Sequence, residues 1–291
     1  MRSLTIASPA KVNLNLRVTG RCPNGYHALH TVFHRISLAD SLRLSKVSSG
    51  FFLRTNVKTI PTDENNLVTK AYRMLQSAVP GLGGVRVYLT KRIPSGAGLG
   101  GGSSNAAFFL LGMNRLYDLK LSRQKLIRIG KRLGADVPFF LYDTNQAIAV
   151  GRGDIIRPKP VSRDWYFLLV IDNKELKTKD VFGRFTLPRR PGFLTKAGRT
   201  ARMLCTFLDR GNPSALIPLL HNDLEKPAFE LRPSIRSKIE RLNRAGLTCV
   251  RMSGSGPTVF ALLPRQKDLK QHLLAARQLF PAARVEGAKT L

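Results

Sequence analysis

Residues 94–107 read Pro94-Ser95-Gly96-Ala97-Gly98-Leu99-Gly100-Gly101-Gly102-Ser103-Ser104-Asn105-Ala106-Ala107, and this stretch is the densest signal in the sequence. It follows Gly84–Thr90, whose β-branched and aromatic residues predict a strand. It leads into Ser103–Leu116, where apolar side chains on most of the surface predict a buried helix. Because glycines lack a Cβ atom, successive amides can point at one anion, and the helix start adds unpaired N–H groups. The pattern favours a phosphate-binding loop over a flexible linker.

Three common classes of phosphate loop do not fit this stretch. It lacks the Gly-Lys-Ser/Thr ending of a P-loop. Gly96, Gly98 and Gly101 satisfy Gly-x-Gly-x-x-Gly, but a dinucleotide fold needs an acidic residue at the end of a second strand about 20 residues on. Asp118 lies near that distance but follows the helix directly. The His-Arg-Asp and Asp-Phe-Gly triplets of protein kinases are also absent.

The charge of the chain is strongly positive. Its 48 Lys and Arg residues against 18 Asp and Glu residues give a net charge of +30 over 291 residues. Such an excess attracts polyanions, and nucleic acid is the first partner to consider. The basic residues are spread along the chain, however, with no basic run interleaved with aromatics that would stack bases. A generally solvated basic surface is the simpler interpretation, and either interpretation suits phosphate-bearing substrates.

The composition of the chain also indicates in which cellular compartment to expect the protein. No apolar run approaches the roughly 20 residues of a membrane span, and the N-terminus carries no pattern of a signal peptide. The three cysteines, Cys22, Cys205 and Cys249, are far apart and show neither a disulfide framework nor zinc spacing. We therefore expect a cytoplasmic protein without a membrane partner.

The N-terminal segment Thr5–Arg17 alternates as a strand does. Val12, Leu14 and Leu16 fall on one face, and Lys11, Asn13 and Asn15 fall on the other. An amine and two amides on one face suit either a strand that lines a polar cleft or an edge strand that faces solvent.

Further along, the order of elements is mixed rather than strictly alternating. Ser122 predicts the N-cap of a second helix that runs to about Leu133 and ends at Gly134. Pro158 and Pro160 mark a domain boundary before the apolar strand Trp165–Ile171. Helical patterns follow near Arg199–Asp209, Ser234–Ala245 and Lys267–Phe280, with a strand at Val259–Leu263. This order predicts an α+β fold with domains at 1–157 and 158–291.

Three segments in order resemble the motifs of the GHMP kinases, which include galactokinase, homoserine kinase, mevalonate kinase and phosphomevalonate kinase. Ser8–Leu14 resembles the first motif, Pro94–Ala107 the second, which binds ATP phosphates, and Met252–Phe260 the third, a glycine loop that packs near the second. The resemblance implies an N-terminal domain like domain 2 of ribosomal protein S5, a C-terminal ferredoxin-like domain, and an active site in the cleft between them.

A narrower combination resembles one branch of the family. Ala10–Leu16, Gly25-Tyr26-His27 and Gly134–Phe140 occur together in the GHMP kinases of the non-mevalonate isoprenoid pathway. Those enzymes phosphorylate the 2-hydroxyl of an alcohol linked to cytidine diphosphate. Another GHMP kinase acting on homoserine or mevalonate is the nearest alternative. An RNA-binding protein that reuses the S5-like half is a more distant one.

The resemblance also implies roles for individual residues. Asp136 would be the catalytic base and Lys11 the cation beside it, where its charge would keep the carboxylate ionised and stabilise the transferred phosphoryl group. A helix-end aspartate bonded to nearby backbone is the alternative for Asp136. The loop residues 94–104 would bind ATP, together with Asn66 near the adenine and Lys91 over the nucleotide.

The same resemblance assigns the cytidine side of the site. Asn13, Tyr26 and His27 would hold the diphosphocytidyl group, with His27 reading the cytosine. Thr178 and Phe182 would close over the base, Phe182 by stacking. His27, His30 and His34 could also be interpreted as a metal cluster, but an extended segment puts His27 on the opposite face from the other two.

The expected cofactors are ATP and Mg²⁺, the metal held by ATP oxygens, water and the hydroxyl of Ser103 or Ser104. The expected partner is a small-molecule cytidine diphosphate substrate rather than nucleic acid, and the chain is expected to be a monomer or weak homodimer.

Overall fold

The computed structural model of this chain describes residues 2–23, 25–172, 174–187 and 193–291, the last range without the side chains of its first three residues. Within those ranges, no helix combines the length and the apolar character needed to cross a membrane.

Strands and helices follow one another in a mixed order. The strands are β1 (Ser3–Arg21), β2 (His27–Val47), β3 (Phe51–Thr55), β4 (Gly84–Thr90), β5 (Gln146–Gly151), β6 (Ile155–Lys159), β7 (Tyr166–Ile171), β8 (His221–Asn222), β9 (Val250–Met252), β10 (Val259–Leu263) and β11 (Arg284–Lys289). The helices are α1 (Leu67–Ala78), α2 (Gly101–Leu116), α3 (Arg123–Leu133), α4 (Val137–Leu141), α5 (Thr178–Gly183), α6 (Phe193–Arg210), α7 (Pro213–Leu216), α8 (Glu225–Leu231), α9 (Ser234–Arg244) and α10 (Gln266–Leu279). The α+β prediction is confirmed.

The chain folds into two compact units, each built from several segments. The first unit contains residues 1–10, 38–93 and 100–143, and the second contains 11–37, 94–99 and 144–291. The chain passes from one unit to the other five times, once between Leu99 and Gly100 inside the glycine loop. The domain boundary expected near Pro158 stays a prediction.

The first unit packs helices on a small sheet. In it, β4 pairs antiparallel with Ser41–Val47 of β2 and parallel with β3. Helix α2 packs against α1, α3 and α4. It also lies close to the sheet, because a Cβ atom at Gly112 would come within 2.5 Å of Leu44 Cδ1. The helix predicted from its apolar surface is therefore central in this unit, and it begins at Gly101, two residues before the predicted start.

The second unit contains two groups of strands. In one, β5 pairs antiparallel with Leu29–His34 of β2 and with β6, and β8 pairs in parallel with β1 at Asn15 and Leu16. In the other, the antiparallel order is β11-β7-β10-β9. Helices α9 and α10 pack on that second group, and their apolar side chains join its strands in one core.

Strand β1 resolves the two interpretations of its polar face. Lys11, Asn13 and Asn15 are all buried, as are the apolar side chains that alternate with them. The alternative of a solvent-facing edge strand is therefore wrong. Because buried polar groups need partners, this face of β1 must make hydrogen bonds inside the protein.

The helix boundaries predicted around α3 are confirmed. The Ser122 hydroxyl accepts from the Lys125 amide at 3.3 Å, as an N-cap does. The helix ends at Gly134, whose amide donates to Gly130. This end matters for the site, because the predicted base Asp136 lies two residues further on.

Candidate active site

In the second unit, the first half of the glycine loop packs against the segment that resembles the third motif. Gly98 has φ +76°, and a Cβ atom there would lie 2.2 Å from the Ser253 carbonyl oxygen. The Ser253 hydroxyl donates to the Gly98 carbonyl at 2.9 Å, and the Thr258 amide donates to the Ala97 carbonyl at 3.4 Å. The expected packing of these two loops is confirmed, and it requires glycine at position 98.

Lys11 is bound to the same half of the loop. Its Nζ donates to Asn13 Oδ1 at 2.6 Å and to the Gly98 carbonyl at 3.4 Å, and its backbone amide donates to the Leu99 carbonyl at 3.0 Å. The ammonium group also lies 5.1 Å from the centre of the Phe33 ring. Only 4% of Lys11 is exposed. A buried cation therefore lies beside the predicted phosphate loop.

Asn13 is held by partners on both ends of its amide. Its oxygen accepts from Lys11, and its Nδ2 donates to the Thr31 hydroxyl at 2.9 Å. That hydroxyl in turn donates to the Asn15 carbonyl at 2.6 Å. Strands β1 and β2 thus fix the orientation of Asn13, and with it the position of the Lys11 amine.

In the first unit, the second half of the loop opens helix α2. Gly100, the N-cap, has φ +69° and no side chain to bond the amides of the first turn, which also carries no acidic residue. The positive end of the helix dipole is therefore not compensated by the helix itself. Such an end can bind an anion.

Asp136 lies in the first unit, at the N-cap of α4. It is partly exposed, whereas every residue of α4 is buried. Its carboxylate makes no capping bond to the amides of α4. The turn that carries it lies beside the start of α2, since a Cβ atom at Gly134 would be 3.9 Å from Ser103 Oγ.

Two of the predicted nucleotide contacts have structural partners in the first unit. Asn66 caps α1, accepting from the Val68 amide at 2.9 Å and donating to the Pro61 carbonyl at 2.6 Å. Lys91 Nζ donates to Asp40 Oδ2 at 2.5 Å and to Asn105 Oδ1 at 3.1 Å, with little of either ion exposed. Their roles toward the nucleotide stay predictions.

No pattern in the sequence indicates the buried network around Asp40. This carboxylate also accepts from the amides of Arg92 and Ile93 at 2.6 and 2.8 Å and from Asn105 Nδ2 at 2.9 Å. Asn105 donates further to the Ser8 hydroxyl at 2.9 Å. The network joins the residues before the loop to the start of α2, and its bonds to Asp40 and to Ser8 join positions 51 to 97 residues apart, beyond the reach of any local pattern.

On the cytidine side, the second unit brings His27 and Phe182 together. Their rings stack with centroids 5.0 Å apart and planes 28° apart, and Phe185 meets His27 edge-on at 6.0 Å. Burial, and then the charge of Arg21, lower the pKa of His27. The lower pKa favours the neutral ring, which offers one donor and one acceptor nitrogen.

The remaining two residues predicted on this side are less enclosed. The Thr178 hydroxyl lies 2.8 Å from the Ser255 hydroxyl of the third-motif segment. Tyr26 is 60% exposed, with the Arg152 guanidinium 5.4 Å from its ring centre. Ser255 and Phe185 were not predicted as site residues, although Ser255 lies in a segment that the resemblance had marked.

Among the described residues, no three His, Cys, Asp or Glu side chains are grouped so that they could hold a metal ion. His34 is fully buried against Gln146 and Thr290, and burial lowers its pKa to about 4. Ser104 is also fully buried, and its hydroxyl accepts from Ser8 at 2.8 Å.

Comparison with protein families finds two matches along the chain. The family described as "GHMP kinases N terminal domain" matches residues 66–144, and the family described as "GHMP kinases C terminal" matches residues 206–282. Together they span more than half of the chain.

Similar proteins of known name and structure agree with these matches. A protein of Desulfotalea psychrophila named 4-diphosphocytidyl-2-C-methyl-D-erythritol kinase is 40% identical over 92% of this chain and 89% of its own length. A protein of the same name from Chlorobium phaeobacteroides is 35% identical over the full length of both. A crystal structure of 4-(cytidine 5'-diphospho)-2C-methyl-D-erythritol kinase is 34% identical, covers 98% of each chain and has a TM-score of 0.81.

Other members of the family share the fold at lower identity. A homoserine kinase structure from Cytophaga hutchinsonii covers 100% of this chain and 95% of its own, with a TM-score of 0.79 at 18% identity. The higher identities lie with one branch, which decides against the homoserine and mevalonate alternatives. The chain belongs to the GHMP kinase family and, within it, to the 4-diphosphocytidyl-2-C-methyl-D-erythritol kinases.

Proposed function

We propose that this chain transfers the γ-phosphate of ATP to the 2-hydroxyl of 4-diphosphocytidyl-2-C-methyl-D-erythritol. One observation carries the proposal: a buried lysine, Lys11, is bonded to Gly98 and Leu99 of a glycine loop that continues into the uncompensated start of a helix. A loop of amides beside a buried cation suits a triphosphate. The named relatives supply the acceptor, since they are similar over nearly the whole chain.

The chemistry asks for a base and a cation near the transferred group. The acceptor hydroxyl gives its proton to the Asp136 carboxylate as its oxygen forms a bond to the γ-phosphorus. The bond from that phosphorus to the bridging oxygen breaks, and ADP leaves with the electron pair. Lys11 stabilises the charge on the phosphoryl oxygens during transfer. Lys11 lies beside the first half of the loop in the second unit, and the turn that carries Asp136 lies beside Ser103 in the first unit.

The residues present fit a Mg²⁺ ion held mainly by ATP oxygens and water. The described residues form no cage of carboxylates, and Mg²⁺ keeps much of its own hydration in sites of this kind. Ser103, partly exposed at the first turn of α2, is the hydroxyl we assign to it, because Ser104 is buried and bonded to Ser8. The ion would neutralise phosphate charge.

The cytidine group is proposed to bind at His27 and Phe182. Phe182 offers an aromatic face on which a base can stack, and neutral His27 offers the donor and acceptor that the edge of a cytosine needs. Asn13, Tyr26 and Thr178 are proposed to contact the rest of the diphosphocytidyl substrate. Asn66 and Lys91 are proposed to contact the nucleotide. We also propose a cytoplasmic location, a monomer or weak homodimer, and the absence of a nucleic-acid partner.

A substrate panel tests this function. Purified protein is incubated with ATP, Mg²⁺ and either the cytidine substrate, homoserine or mevalonate. The release of ADP is measured, and the phosphorylated products are identified by ³¹P NMR. We expect turnover with the cytidine substrate alone and a new phosphomonoester on its 2-hydroxyl. Preference for an acceptor that lacks cytidine would contradict the proposal.

A further inference from the structure

Residues 174–185, here named the connecting segment, link the parts of the second unit that the proposed function uses. At one point the Leu176 amide donates to the Gly96 carbonyl of the glycine loop at 3.4 Å. At another the Thr178 hydroxyl meets Ser255 of the third-motif segment. At the far end Phe182 and Phe185 contact His27. One short stretch of chain therefore touches the glycine loop, the third-motif segment and the proposed cytidine site.

An arginine outside the proposed site forms hydrogen bonds with the start of this segment. Arg232, which follows α8, donates from Nη1 to the Lys174 carbonyl at 2.5 Å and from Nη2 to the Glu175 carbonyl at 2.9 Å. A guanidinium that bonds two successive carbonyls fixes both the position and the direction of the backbone between them.

The strand end that precedes the segment is fixed from the same side. Asp172 Oδ1 accepts from Lys238 Nζ at 2.5 Å, and both side chains are largely buried. Asp172 Oδ2 lies 3.9 Å from Arg232 Nη1. Lys238 belongs to α9, so the residues that lead into the segment are tied to α9 and to the end of α8.

Apart from its bonds to Gly96, Ser255 and Arg232, the segment is held by apolar contacts. Leu176 and Val181 are buried in the core of the second unit, and Phe182 and Phe185 pack against it only in part. Helix α5 has six residues and no side-chain cap at its start. Because so short a helix has little stability of its own, the orientation of Phe182 depends on how the start of the segment is fixed.

We infer that Arg232 is a positioning residue for the cytidine site. Its bonds fix the start of the connecting segment, and the fixed segment in turn orients Phe182 against His27. The inference rests on the proposed function, because it assumes that Phe182 and His27 bind the base. It concerns affinity for the acceptor rather than the chemical step, since the partners of the Arg232 side chain among the described residues are two backbone carbonyls of this segment and the nearby Asp172 carboxylate.

The test compares Arg232→Ala and Arg232→Lys with the wild type in steady-state kinetics. Loss of two charge-assisted bonds predicts a KM for the cytidine substrate raised by about tenfold in Arg232→Ala. We expect a smaller rise in Arg232→Lys, because an ammonium cannot bond both carbonyls as a fork. The kcat at saturation and the KM for ATP should change by less than about twofold. Arg236→Ala is the matched control, since Arg236 lies on the exposed surface of α9 and stacks on Phe229.

A double-mutant cycle separates positioning from general loss of stability. In a Phe182→Leu background, Arg232→Ala should raise the KM little further, because the side chain through which it acts is gone. Equal effects of Arg232→Ala in both backgrounds would overturn the inference, as would folded Arg232→Ala protein with an unchanged KM. A wild type without turnover of the cytidine substrate would instead overturn the proposed function, and the inference with it.

Discussion

At the scale of single residues, the two proposed catalytic side chains are in opposite environments. Lys11 is buried, with its amine bonded to Asn13 and a loop carbonyl, whereas Asp136 is partly exposed at a helix start. A buried ammonium needs such partners, because an unpaired charge in the interior is costly. A base that must reach a bound hydroxyl needs access instead.

Replacement of Lys11 by methionine tests the cation. Methionine keeps an unbranched stem of similar length for packing on Phe33 but removes the charge. We expect kcat to fall by about 10²–10³-fold, because the phosphoryl charge loses its stabilising partner. Thermal unfolding should show a folded protein. Lys58→Met, at an exposed position of the first unit, is the control, and near-normal kcat in Lys11→Met would refute the role.

Replacement of Asp136 by asparagine tests the base. The amide has the same shape but cannot take a proton, so we expect kcat to fall by about 10²–10⁴-fold with little change in the KM for ATP. Asp143→Asn is the control, since Asp143 is an exposed carboxylate seven positions further along in the same unit. If Asp136→Asn and Asp143→Asn had equal turnover numbers, another group would have to be the base.

At the scale of elements, the glycine loop is built by contacts that differ from one glycine to the next. Gly98 has a positive φ and no room for a side chain against Ser253 and Gly256. Gly102, in the first turn of α2, would place a Cβ atom 3.7 Å from Leu67 Cδ1, which is an ordinary contact. The sequence alone does not show that a side chain fits at Gly102 and not at Gly98.

Two alanine substitutions make the difference measurable. Gly98→Ala forces the loop away from Ser253, so we expect the free energy of unfolding to fall by about 2 kcal/mol or more. Gly102→Ala should leave it unchanged or slightly higher, because alanine favours the helix over glycine. Denaturant unfolding followed by circular dichroism gives both values. Equal stabilities of the two variants would contradict the close packing of the two loops.

At the scale of the whole molecule, one buried histidine ties distant strands of the second unit together. His34 in β2 lies 2.9 Å from the Thr290 hydroxyl through Nε2 and 3.3 Å from Gln146 Oε1 through Nδ1. Thr290 also accepts from the Trp165 amide at 2.9 Å. The ring is fully buried, and burial lowers its pKa from 6.5 to about 4.

This histidine predicts a loss of stability in mild acid. The unfolded chain takes up the proton near pH 6.5, whereas the folded state resists it until about pH 4. The stabilising effect of the neutral ring is therefore present above pH 6.5 and is lost as the pH falls through that window, by about 3 kcal/mol in all.

Urea unfolding at a series of pH values between 7 and 4 measures this loss. His34→Gln keeps a polar side chain that can bond Thr290 but does not titrate, so its free energy of unfolding should vary less across the window than that of the wild type. Identical slopes for the two proteins would show that His34 does not carry the effect.

Local patterns in the sequence predict the glycine loop, the main elements around it and the family of the chain. Backbone conformation and periodicity depend on near neighbours in the chain, so they appear as local patterns. Examples are the glycine loop between a strand and a buried helix, the cap at Ser122 and the alternating faces of β1. The family followed from motifs that are also local, Ser8–Leu14, Pro94–Ala107 and Met252–Phe260.

Which distant residues come into contact is visible in the folded structure and not in the sequence. Four contacts join positions that are 51 to 155 residues apart in the sequence. They are Ser253 with Gly98, Phe182 with His27, Lys91 with Asp40, and Arg232 with the connecting segment. Sequence distance says nothing about such contacts, because they arise when separate elements bury their apolar faces and the polar groups carried with them must find partners. Burial of Lys11 and Asn13 belongs here too, since either face of an alternating strand can end up inside.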